Sequence, residues 1–453
     1  MKDFATSDNP AVQEQLQRLA ALSLPQGRFG LETITALLER LGNPQDHLPP
    51  TFHVAGTNGK GSTCAFLRAI LEAQGYAVHT ATKPHLVRYN ERIRLAGKLI
   101  DDVMLASLLK EVLDQSSGLS PSFFEVTTAA MFLAFARIPA HACVIEVGLG
   151  GRFDATNVLK RPVACGIAAL GLDHEGFLLR EEMGTPSDPM ARIAFEKASI
   201  ARPGVPLVTQ AYTPEVTHEI VKAARKVRAP VAMRGQEWKA EIVATDLGER
   251  LRYIDEAGEL LLPIPRLPGA HQADNAALAV AMLRHQQVLA FSADAIALGI
   301  EETRWPARLQ ILGDGPLTAR LPNTTIILDG GHNPDAAQVI AAHLSTLESP
   351  VAAIVGMLAN KDAKGFLDPI APHVSVLYAI PVAGHDHHAP ADLAAIAAAA
   401  GVAQVHTAED FTAALRMIAS TANADQPVAK TVLIAGSLYL AGKVLEANDE
   451  VPD

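Results

Sequence analysis

The chain has few cysteines, no excess of basic residues and no long apolar run, and each of these absences excludes a class of protein. Its 453 residues include only three cysteines, Cys64, Cys143 and Cys165, and none of them forms a CxxC pair. An odd, sparse count of this kind predicts ordinary buried thiols in a reducing compartment rather than a disulfide framework. We therefore expect a cytoplasmic location.

The charge balance and the lack of long apolar runs exclude two kinds of partner. A net charge of −11 and the absence of a basic stripe argue against nucleic acid. Small anionic ligands are still compatible with this charge, because local groups hold them. No run approaches the roughly 18 apolar residues of a membrane span, and the first residues lack the apolar segment of an export signal. We expect neither a nucleic-acid partner nor a membrane partner.

The composition is that of a folded protein, since 49% of the residues are hydrophobic and 19% are charged. At about 150 residues per domain the length suggests roughly three domains, although α/β domains often run longer. The pattern along the chain instead predicts two domains, residues 1–300 and residues 301–453.

One stretch dominates the first of these domains: His53-Val-Ala-Gly-Thr-Asn-Gly-Lys-Gly-Ser62. It lies between a predicted strand and a helical run from Thr63 to Gln74, an arrangement that directs backbone N–H groups and the helix dipole at one point. Lys60 can add a charge over the terminal phosphates of a nucleotide, and the Ser62 hydroxyl can reach a bound Mg²⁺. The stretch therefore predicts a phosphate-binding loop.

The match to the common phosphate-loop pattern is incomplete. Gly56 stands three residues before Gly59 instead of five, and Gly61 separates the lysine from the serine. The alternative is a tight turn that binds nothing. The strand–turn–helix context favours phosphate binding.

Two further strands carry polar side chains to the same edge of the predicted sheet. The apolar run 142–147 contains one acid, Glu146, and leads into a glycine-rich loop over 148–157. The strand predicted at 163–170 is followed by Asp173-His174. Because ligands bind at the carboxyl ends of strands in α/β sheets, we expect these groups to face one crevice.

The pattern of apolar and polar residues changes twice in the remainder of the chain. The interval 230–265 predicts a small antiparallel patch, and an alanine-rich helix ends near residue 287. Beyond residues 300–308 a βαβ pattern restarts, with strands at 325–328, 351–357, 374–380 and 431–435 and helices at 335–347, 363–370 and 390–400. The predicted fold is α/β in two domains: a P-loop NTPase-like domain with a mainly parallel sheet and a small antiparallel patch, then a smaller Rossmann-like domain.

Several of these residues also have plainer interpretations. Glu146 could form a structural salt bridge instead of holding a metal, and a lone histidine such as His174 is more often structural. A solvated side chain is the default for Lys197 on a helix. The turn Asp329-Gly-Gly-His-Asn-Pro334 is either a helix cap or part of a site. The cluster His385-Asp-His-His388 is only weakly suggestive of Zn²⁺.

Taken together, these residues resemble the Mur ligase superfamily and, within it, the dihydrofolate synthase/folylpolyglutamate synthase family. The resemblance extends over nearly the whole chain, to Gly436-Ser-Leu-Tyr-Leu440. Its most specific motifs are His53–Ser62, Pro84-His-Leu-Val-Arg-Tyr-Asn-Glu-Arg-Ile93, Glu146-Val-Gly-Leu-Gly-Gly-Arg152, Phe195-Glu-Lys-Ala198 and Asp329–Pro334.

The resemblance implies a monomeric, two-domain ligase that binds ATP between its domains. Such an enzyme converts a carboxylate to an acyl phosphate, which the amino group of L-glutamate attacks, with dihydropteroate or a reduced folate as the acid. ATP is needed because carboxylate and ammonium do not condense in water, and cations neutralise the charge that moves off the γ-phosphate. Two alternatives are another Mur-type ligase of cell-wall synthesis and a nucleotide-binding protein without ligase activity.

The resemblance also implies roles for individual residues. The catalytic group comprises Lys60, Lys197 as a carboxylated lysine, and His332. The ATP group comprises Gly56, Thr57, Asn58, Gly59, Lys60, Gly61, Ser62, Gln272, Asn275, Arg308 and Asp329. Ligands of Mg²⁺, with K⁺ as a further candidate ion, are Ser62, Glu146 and His174. The pterin group comprises Gly30, Leu31, Ser122, Phe123, Phe124, Glu125, Phe153, Asp154 and Ala155. Ser437 is assigned to glutamate.

Three departures from the family pattern stand out. Lys83 replaces a serine that helps to hold one Mg²⁺ in the family, and a charged lysine cannot ligate a metal ion. The interval between His174 and Lys197 is longer than usual and lacks the family's Leu-Gly-x-Thr. Ala307 replaces the glycine that normally precedes Arg308.

Overall fold

The computed structural model describes residues 6–22, 30–173, 175–180, 182–246, 248–349, 351–420 and 429–453. The chain divides into two compact units. The first runs to Arg266 and also includes Gln272–Arg304, and the second combines Leu267–His271 with Trp305–Asp453. The predicted division lay between residues 300 and 301.

The first unit is built on a large, mainly parallel sheet. Its strands are β1 (Thr51–Ala55), β2 (Val78–Ala81), β3 (Ile93–Leu95), β4 (Lys98–Leu99), β5 (Ala142–Glu146), β6 (Ala164–Ile167), β7 (Leu207–Thr209) and β8 (Val231–Met233). Within the described part of the chain they lie in the order β4-β3-β2-β5-β1-β6-β7-β8. The six strands from β2 to β8 pair in parallel, and β3 and β4 pair antiparallel at the edge.

Helices cover this sheet, and its inner strands are buried along their whole length. The helices are α1 (Pro10–Ala20), α2 (Glu32–Arg40), α3 (Lys60–Ala73), α4 (Asp102–Gln115), α5 (Phe123–Arg137), α6 (Glu175–Leu178), α7 (Pro189–Ala198), α8 (Pro214–Val227), α9 (His271–His285) and α10 (Ala293–Glu302). Gly299 lets α10 lie directly on α3, because a Cβ atom at this position would stand 2.4 Å from the Ile70 Cα. The sequence analysis did not identify α8 or α10.

A three-stranded antiparallel sheet follows the parallel one, formed by β9 (Trp238–Thr245), β10 (Gly248–Asp255) and β11 (Gly258–Pro263). The predicted antiparallel patch over 230–265 began too early. Val231–Met233 is instead the parallel edge strand β8, because its backbone pairs with β7. Three residues are too few for their own pattern to indicate which sheet they join.

The second unit contains a six-stranded sheet in the described residues, in the order β12-β13-β17-β14-β15-β16. Its strands are β12 (Gln310–Ile311), β13 (Thr325–Leu328), β14 (Val351–Val355), β15 (Val374–Ala379), β16 (Gln404–Thr407) and β17 (Thr431–Ala435). Only β12 pairs antiparallel. The accompanying helices are α11 (Pro334–Leu344), α12 (Ala363–Ile370), α13 (Pro390–Ala399), α14 (Phe411–Ser420) and α15 (Leu438–Ala447).

The predicted fold class is confirmed: a large parallel sheet with a small antiparallel sheet, followed by a smaller α/β unit. The bounds of β13, β17 and α12 agree with the prediction to the residue, whereas β16 and α14 were missed. Among the described residues, no helix combines the length and the apolar character needed to cross a membrane.

Candidate active site

The predicted phosphate loop connects β1 to α3, with Gly56 and Gly59 at φ +154° and +80°. Gly59 caps the helix in a left-handed conformation and accepts a hydrogen bond from the amide of Thr63. The helix therefore begins at Lys60, three residues earlier than predicted. Since the first amides of a helix have no intrahelical acceptor, the N–H groups of Lys60, Gly61 and Ser62 are those suited to an anion.

The first half of the loop is anchored to the segment that follows the neighbouring strand β6. The amides of Thr57 and Asn58 donate to the Ala169 carbonyl at 2.8 and 3.2 Å, and the Thr57 hydroxyl donates to the Gly171 carbonyl at 2.9 Å. These bonds shape the loop. Lys60 folds back over it, because its Nζ donates to the Thr57 carbonyl at 2.9 Å.

Helix α9 brings Gln272 and Asn275 against this loop. A Cβ atom at Gly59 would lie only 2.3 Å from the Asn275 Oδ1. Asn275 donates to the Gln272 Oε1 at 3.1 Å, and both side chains are buried. The Gln272 Nε2 is a buried donor without a hydrogen-bond partner. Two residues predicted at ATP therefore adjoin the phosphate loop, although more than 200 positions separate them from it in the chain.

Glu146 ends β5 and is 3% exposed. Its Oε2 accepts a hydrogen bond of 3.0 Å from the main-chain amide of Lys83, at the end of β2. The Lys83 ammonium donates to the main-chain carbonyl of Glu146 at 3.4 Å and stands 4.4 Å from the centre of the Phe124 ring. Three distant segments of the chain thus meet at the carboxyl edge of the sheet.

Lys197 is buried, contrary to the solvated state that a helical lysine normally adopts. It is 4% exposed on α7, and its Nζ donates to the Gly56 carbonyl at 2.8 Å. Burial, reinforced by the charge of Lys60, lowers the pKa of Lys197 to about 7, against the opposing effect of nearby carboxylates. Gly151 allows this close packing, because a Cβ there would stand 2.7 Å from the Glu196 carbonyl oxygen.

Asp154 organises the loop after β5. Its Oδ2 accepts from the amides of Gly148 and Leu149 at 3.0 and 2.9 Å. Its Oδ1 accepts from the amide and the hydroxyl of Thr156 at 2.9 and 2.6 Å. This carboxylate therefore has four donors from its own loop, and its assignment to the pterin stays a prediction.

His53, in β1, completes this arrangement and was not identified as a site residue from the sequence. Its Nε2 lies 2.8 Å from the Thr156 hydroxyl. Burial lowers the pKa of His53 to about 3, so the ring is neutral. Because the Thr156 hydroxyl donates to Asp154, the ring nitrogen is the donor of this bond. A histidine inside an apolar strand was the available signal.

The remaining pterin candidates lie in three segments: the start of α5, the loop after β5 and the residues before α2. Ser122 and Glu125 form a capping box, in which the Glu125 Oε2 accepts from the Ser122 amide and hydroxyl at 2.8 Å each. Leu31, Phe123 and Phe124 all pack against one shared apolar core. Phe153 and Ala155 flank Asp154, and the Arg152 guanidinium lies 4.2 Å from the Phe153 ring centre. Gly30 precedes α2.

An ion-pair network fastens the β5 loop to α7. Arg152 and Arg192 both pair with Glu196 at 3.0 Å, and both also pair with Glu182. The sequence analysis did not identify these pairs, because their partners are dispersed along the chain. The network lies beside Lys197 and supports its buried position.

The predicted Mg²⁺ ligands Ser62, Glu146 and His174 stay a prediction. His174 lies outside the described residues. Elsewhere in the described chain, no group of three or more His, Cys, Asp and Glu side chains is arranged to hold an ion. This also holds for residues 385–388, the weak Zn²⁺ candidate. The His388 Nε2 there lies 2.8 Å from the Lys361 carbonyl.

In the second unit, β13 is followed by the predicted Asp329 and His332. The Asp329 carboxylate accepts from the amides of Leu309 and Gly331 at 2.8 and 2.6 Å, and burial raises its pKa. The His332 Nδ1 lies 2.8 Å from the Gly330 carbonyl. Ser437 follows β17, the parallel neighbour of β13, and caps α15 through the amide of Tyr439.

Arg308 adjoins this turn, since a Cβ at Gly330 would stand 3.0 Å from its Nη1. Ala307 has φ +53°, a left-handed conformation that glycine adopts more easily. This conformation is the physical reason why glycine suits the position before Arg308.

Comparison with known proteins gives a consistent result. Residues 308–438 match the family model "Mur ligase, glutamate ligase domain". The chain is 33% identical over 424 residues to the dihydrofolate synthase/folylpolyglutamate synthase of Escherichia coli, covering 93% of this chain and 92% of that protein.

Two solved structures show the same fold. The E. coli FolC complex with DHPP and ADP has a TM-score of 0.83 and 30% identity, covering 98% of this chain and 99% of that one. The bifunctional folylpolyglutamate synthase/dihydrofolate synthase from Yersinia pestis, complexed with AMPPNP and Mn ion, has a TM-score of 0.82 and 29% identity at the same coverage.

Proposed function

Because the chain belongs to the dihydrofolate synthase/folylpolyglutamate synthase family of ATP-dependent ligases, we propose that it adds L-glutamate to dihydropteroate and to reduced folates through an acyl phosphate. The observation that carries the proposal is the position of Lys197. Its Nζ donates a hydrogen bond to the Gly56 carbonyl in the phosphate loop, so the loop, Lys60 and a buried amine of lowered pKa share one edge of the sheet.

The phosphate loop supplies the charge that phosphoryl transfer requires. The amides of Lys60, Gly61 and Ser62 and the dipole of α3 attract the terminal phosphates. The Lys60 ammonium neutralises charge as the γ-phosphoryl group moves to the substrate carboxylate. Gln272 and Asn275 border the nucleotide from α9, where the unpartnered Gln272 Nε2 is a donor suited to it.

A divalent ion fits the donor set beside this loop. Ser62 and Glu146 present a hydroxyl and a carboxylate, and hard oxygen ligands of this kind suit Mg²⁺. Both residues are buried, at 2% and 3% exposure, and a buried carboxylate needs a cation near it. When bound, the ion supplies positive charge to the β- and γ-phosphate oxygens. His174 is the third proposed ligand.

Lys197 is suited to carboxylation. With its pKa lowered to about 7, a large share of the amine is neutral at neutral pH and can attack CO₂. The nitrogen forms a bond to carbon, one proton leaves to solvent, and the product is an anionic carbamate. Labelling with ¹³CO₂ should give a carbamate carbon signal in the wild type and none in Lys197→Met.

The two organic substrates have their own candidate groups. The aromatic face of Phe124 and the carboxylates of Glu125 and Asp154 suit a flat ring that carries an amino group. In the second unit, Ser437 is proposed for glutamate and His332 as a catalytic residue, and the two follow adjacent strands of the sheet. Residues 1–300 would thus bind ATP and the pterin, and residues 301–453 glutamate.

The test is phosphate release from ATP with dihydropteroate, tetrahydrofolate or a cell-wall nucleotide precursor, each with and without L-glutamate. We expect release with the two pteroyl substrates that depends on glutamate, and products one glutamate heavier by mass spectrometry. Turnover with the cell-wall precursor alone would replace the proposal with the other Mur-type reaction. Absence of turnover with all three would contradict a ligase.

A further inference from the structure

The long interval between His174 and Lys197, which departs from the family pattern, packs on the loop after β5. Leu178, at the end of α6, is 8% exposed, and a Cβ atom at Gly150 would stand 3.0 Å from its Cδ2. The Leu178 carbonyl accepts a hydrogen bond of 3.1 Å from the Arg192 Nε in α7. This interval therefore joins the β5 loop to α7.

Glu182 makes the second attachment of the same interval. Its Oε2 pairs with the Arg152 Nη2, and its Oε1 lies 3.4 Å from the Arg152 Nη1. The Arg192 Nη2 stands 3.5 Å from the Glu182 Oε2. The side chains of Glu182 and Arg152 are 21% and 19% exposed, so their attraction is screened less than that of a surface pair. A two-pronged contact of this kind also fixes the orientation of the guanidinium.

Arg152 in turn closes the β5 loop on the backbone of α7. Its amide donates to the Glu196 carbonyl at 2.9 Å, and its guanidinium pairs with the Glu196 carboxylate at 3.0 Å. Gly151 lies so close that a Cβ atom there would stand 3.0 Å from the Lys197 Cα. The two attached residues, Gly150 and Arg152, thus flank the one that packs directly on Lys197.

We infer that Glu182 is a positioning residue: by holding Arg152 it keeps the β5 loop closed on Lys197 and so keeps water from the amine. The inference rests on the proposed function, in which this amine is carboxylated. Water favours the ammonium form of a lysine, and an ammonium has no lone pair with which to attack CO₂. Loss of the Glu182 charge should therefore lower the share of Lys197 that carries a carbamate.

The test measures the carbamate directly, by its ¹³C signal in protein equilibrated with ¹³CO₂ at ambient concentration. Glu182→Gln keeps the size and removes the charge. Its carbamate occupancy should be at least about threefold below that of the wild type, since one unit of pKa changes the neutral share of an amine by up to about tenfold. Glu182→Asp keeps the charge on a shorter stem and should fall between the two. Met183→Ala changes the next residue, which is fully exposed, and should match the wild type.

Kinetics separate positioning from a general loss of structure. In Glu182→Gln, kcat for glutamate-dependent phosphate release should fall at ambient CO₂ and recover as CO₂ is raised, because carbamate formation follows mass action. KM for ATP should stay within about twofold of the wild type, since the phosphate loop itself is unchanged. A variant that was only less stable would lose kcat at every CO₂ concentration and keep the wild-type carbamate occupancy per folded molecule. Urea unfolding gives the folded fraction, and Glu182→Asp carries the comparison if Glu182→Gln does not fold.

Equal carbamate occupancy in the wild type and in each Glu182 variant that folds would overturn the inference, as would a wild type that turns over without any carbamate. Neither result would contradict the proposed ligation, because phosphate release would still depend on glutamate. A wild type without glutamate-dependent release would contradict the ligation itself and, with it, the role of Glu182 in the reaction.

Discussion

Replacing Gly59 by alanine should weaken both the first unit and its nucleotide site. Gly59 has φ +80°, where an L-residue costs about 1–2 kcal/mol. The new methyl carbon would also lie 2.3 Å from the Oδ1 and 3.1 Å from the Cγ of Asn275. Because these distances are too short to persist, Asn275 must move away, and its 3.1 Å hydrogen bond to Gln272 is lost.

Gly75, just beyond the end of α3, provides a matched control. It has φ +91°, but a Cβ atom there would have nothing within 4 Å. Gly75→Ala should therefore cost only the backbone strain of about 1–2 kcal/mol. Gly59→Ala adds the loss of a buried hydrogen bond worth about 0.5–1.5 kcal/mol, so its free energy of unfolding should fall by about 2–3 kcal/mol in total.

Urea unfolding measures the first effect, with midpoints compared at equal slope. Calorimetric titration with AMPPNP measures the second. Binding should weaken at least about tenfold in Gly59→Ala, which corresponds to roughly 1.4 kcal/mol, and should be unchanged in Gly75→Ala. If the two variants lose equal stability and bind the nucleotide equally well, the contact between the loop and α9 does not build the site.

Three further predictions concern charged side chains. Lys60→Ala should keep the wild-type circular dichroism but abolish glutamate-dependent phosphate release. The control Lys98→Ala, at an exposed position, should release phosphate like the wild type, and substantial release by Lys60→Ala would refute the role of the loop. Burial lowers the pKa of Lys197 from 10.5 to about 7, so between these values the folded protein binds fewer protons than the unfolded chain and its stability rises with pH. Urea unfolding at pH 7 and pH 9 in CO₂-free buffer should show this rise in the wild type but not in Lys197→Met. An equal rise in both proteins would exclude Lys197 as its source. Asp154→Asn should lower the free energy of unfolding by at least about 2 kcal/mol, because an amide cannot accept all four hydrogen bonds of the carboxylate. The control Asp101→Asn changes an N-cap with one such bond, and its effect on stability should be nearly zero. Similar losses in both variants would show that the loop does not need the charge.

The sequence by itself determined those features that depend on neighbouring residues. The phosphate loop follows from a strand, two glycines at positive φ and a helix, all within about twenty positions, and the bounds of β13, β17 and α12 follow from short apolar runs and their turns. The motifs also sufficed to identify the family and its reaction. In each case the physical cause, a turn conformation or a helix dipole, acts over a few residues.

Only the tertiary structure decided which charges meet. Lys83 meets Glu146 because β2 lies beside β5, and Phe124 at the start of α5 contacts the Lys83 ammonium. Strand order is set by the packing of the whole sheet rather than by local pattern. The residues around Lys197 indicate an ordinary solvated lysine, and only the family resemblance gave it a role, whereas in the structure the β5 loop packs against it at Gly151 and its side chain is buried. Its pKa depends on the water excluded by residues far away in the chain, and desolvation of this kind has no signature in the sequence around it.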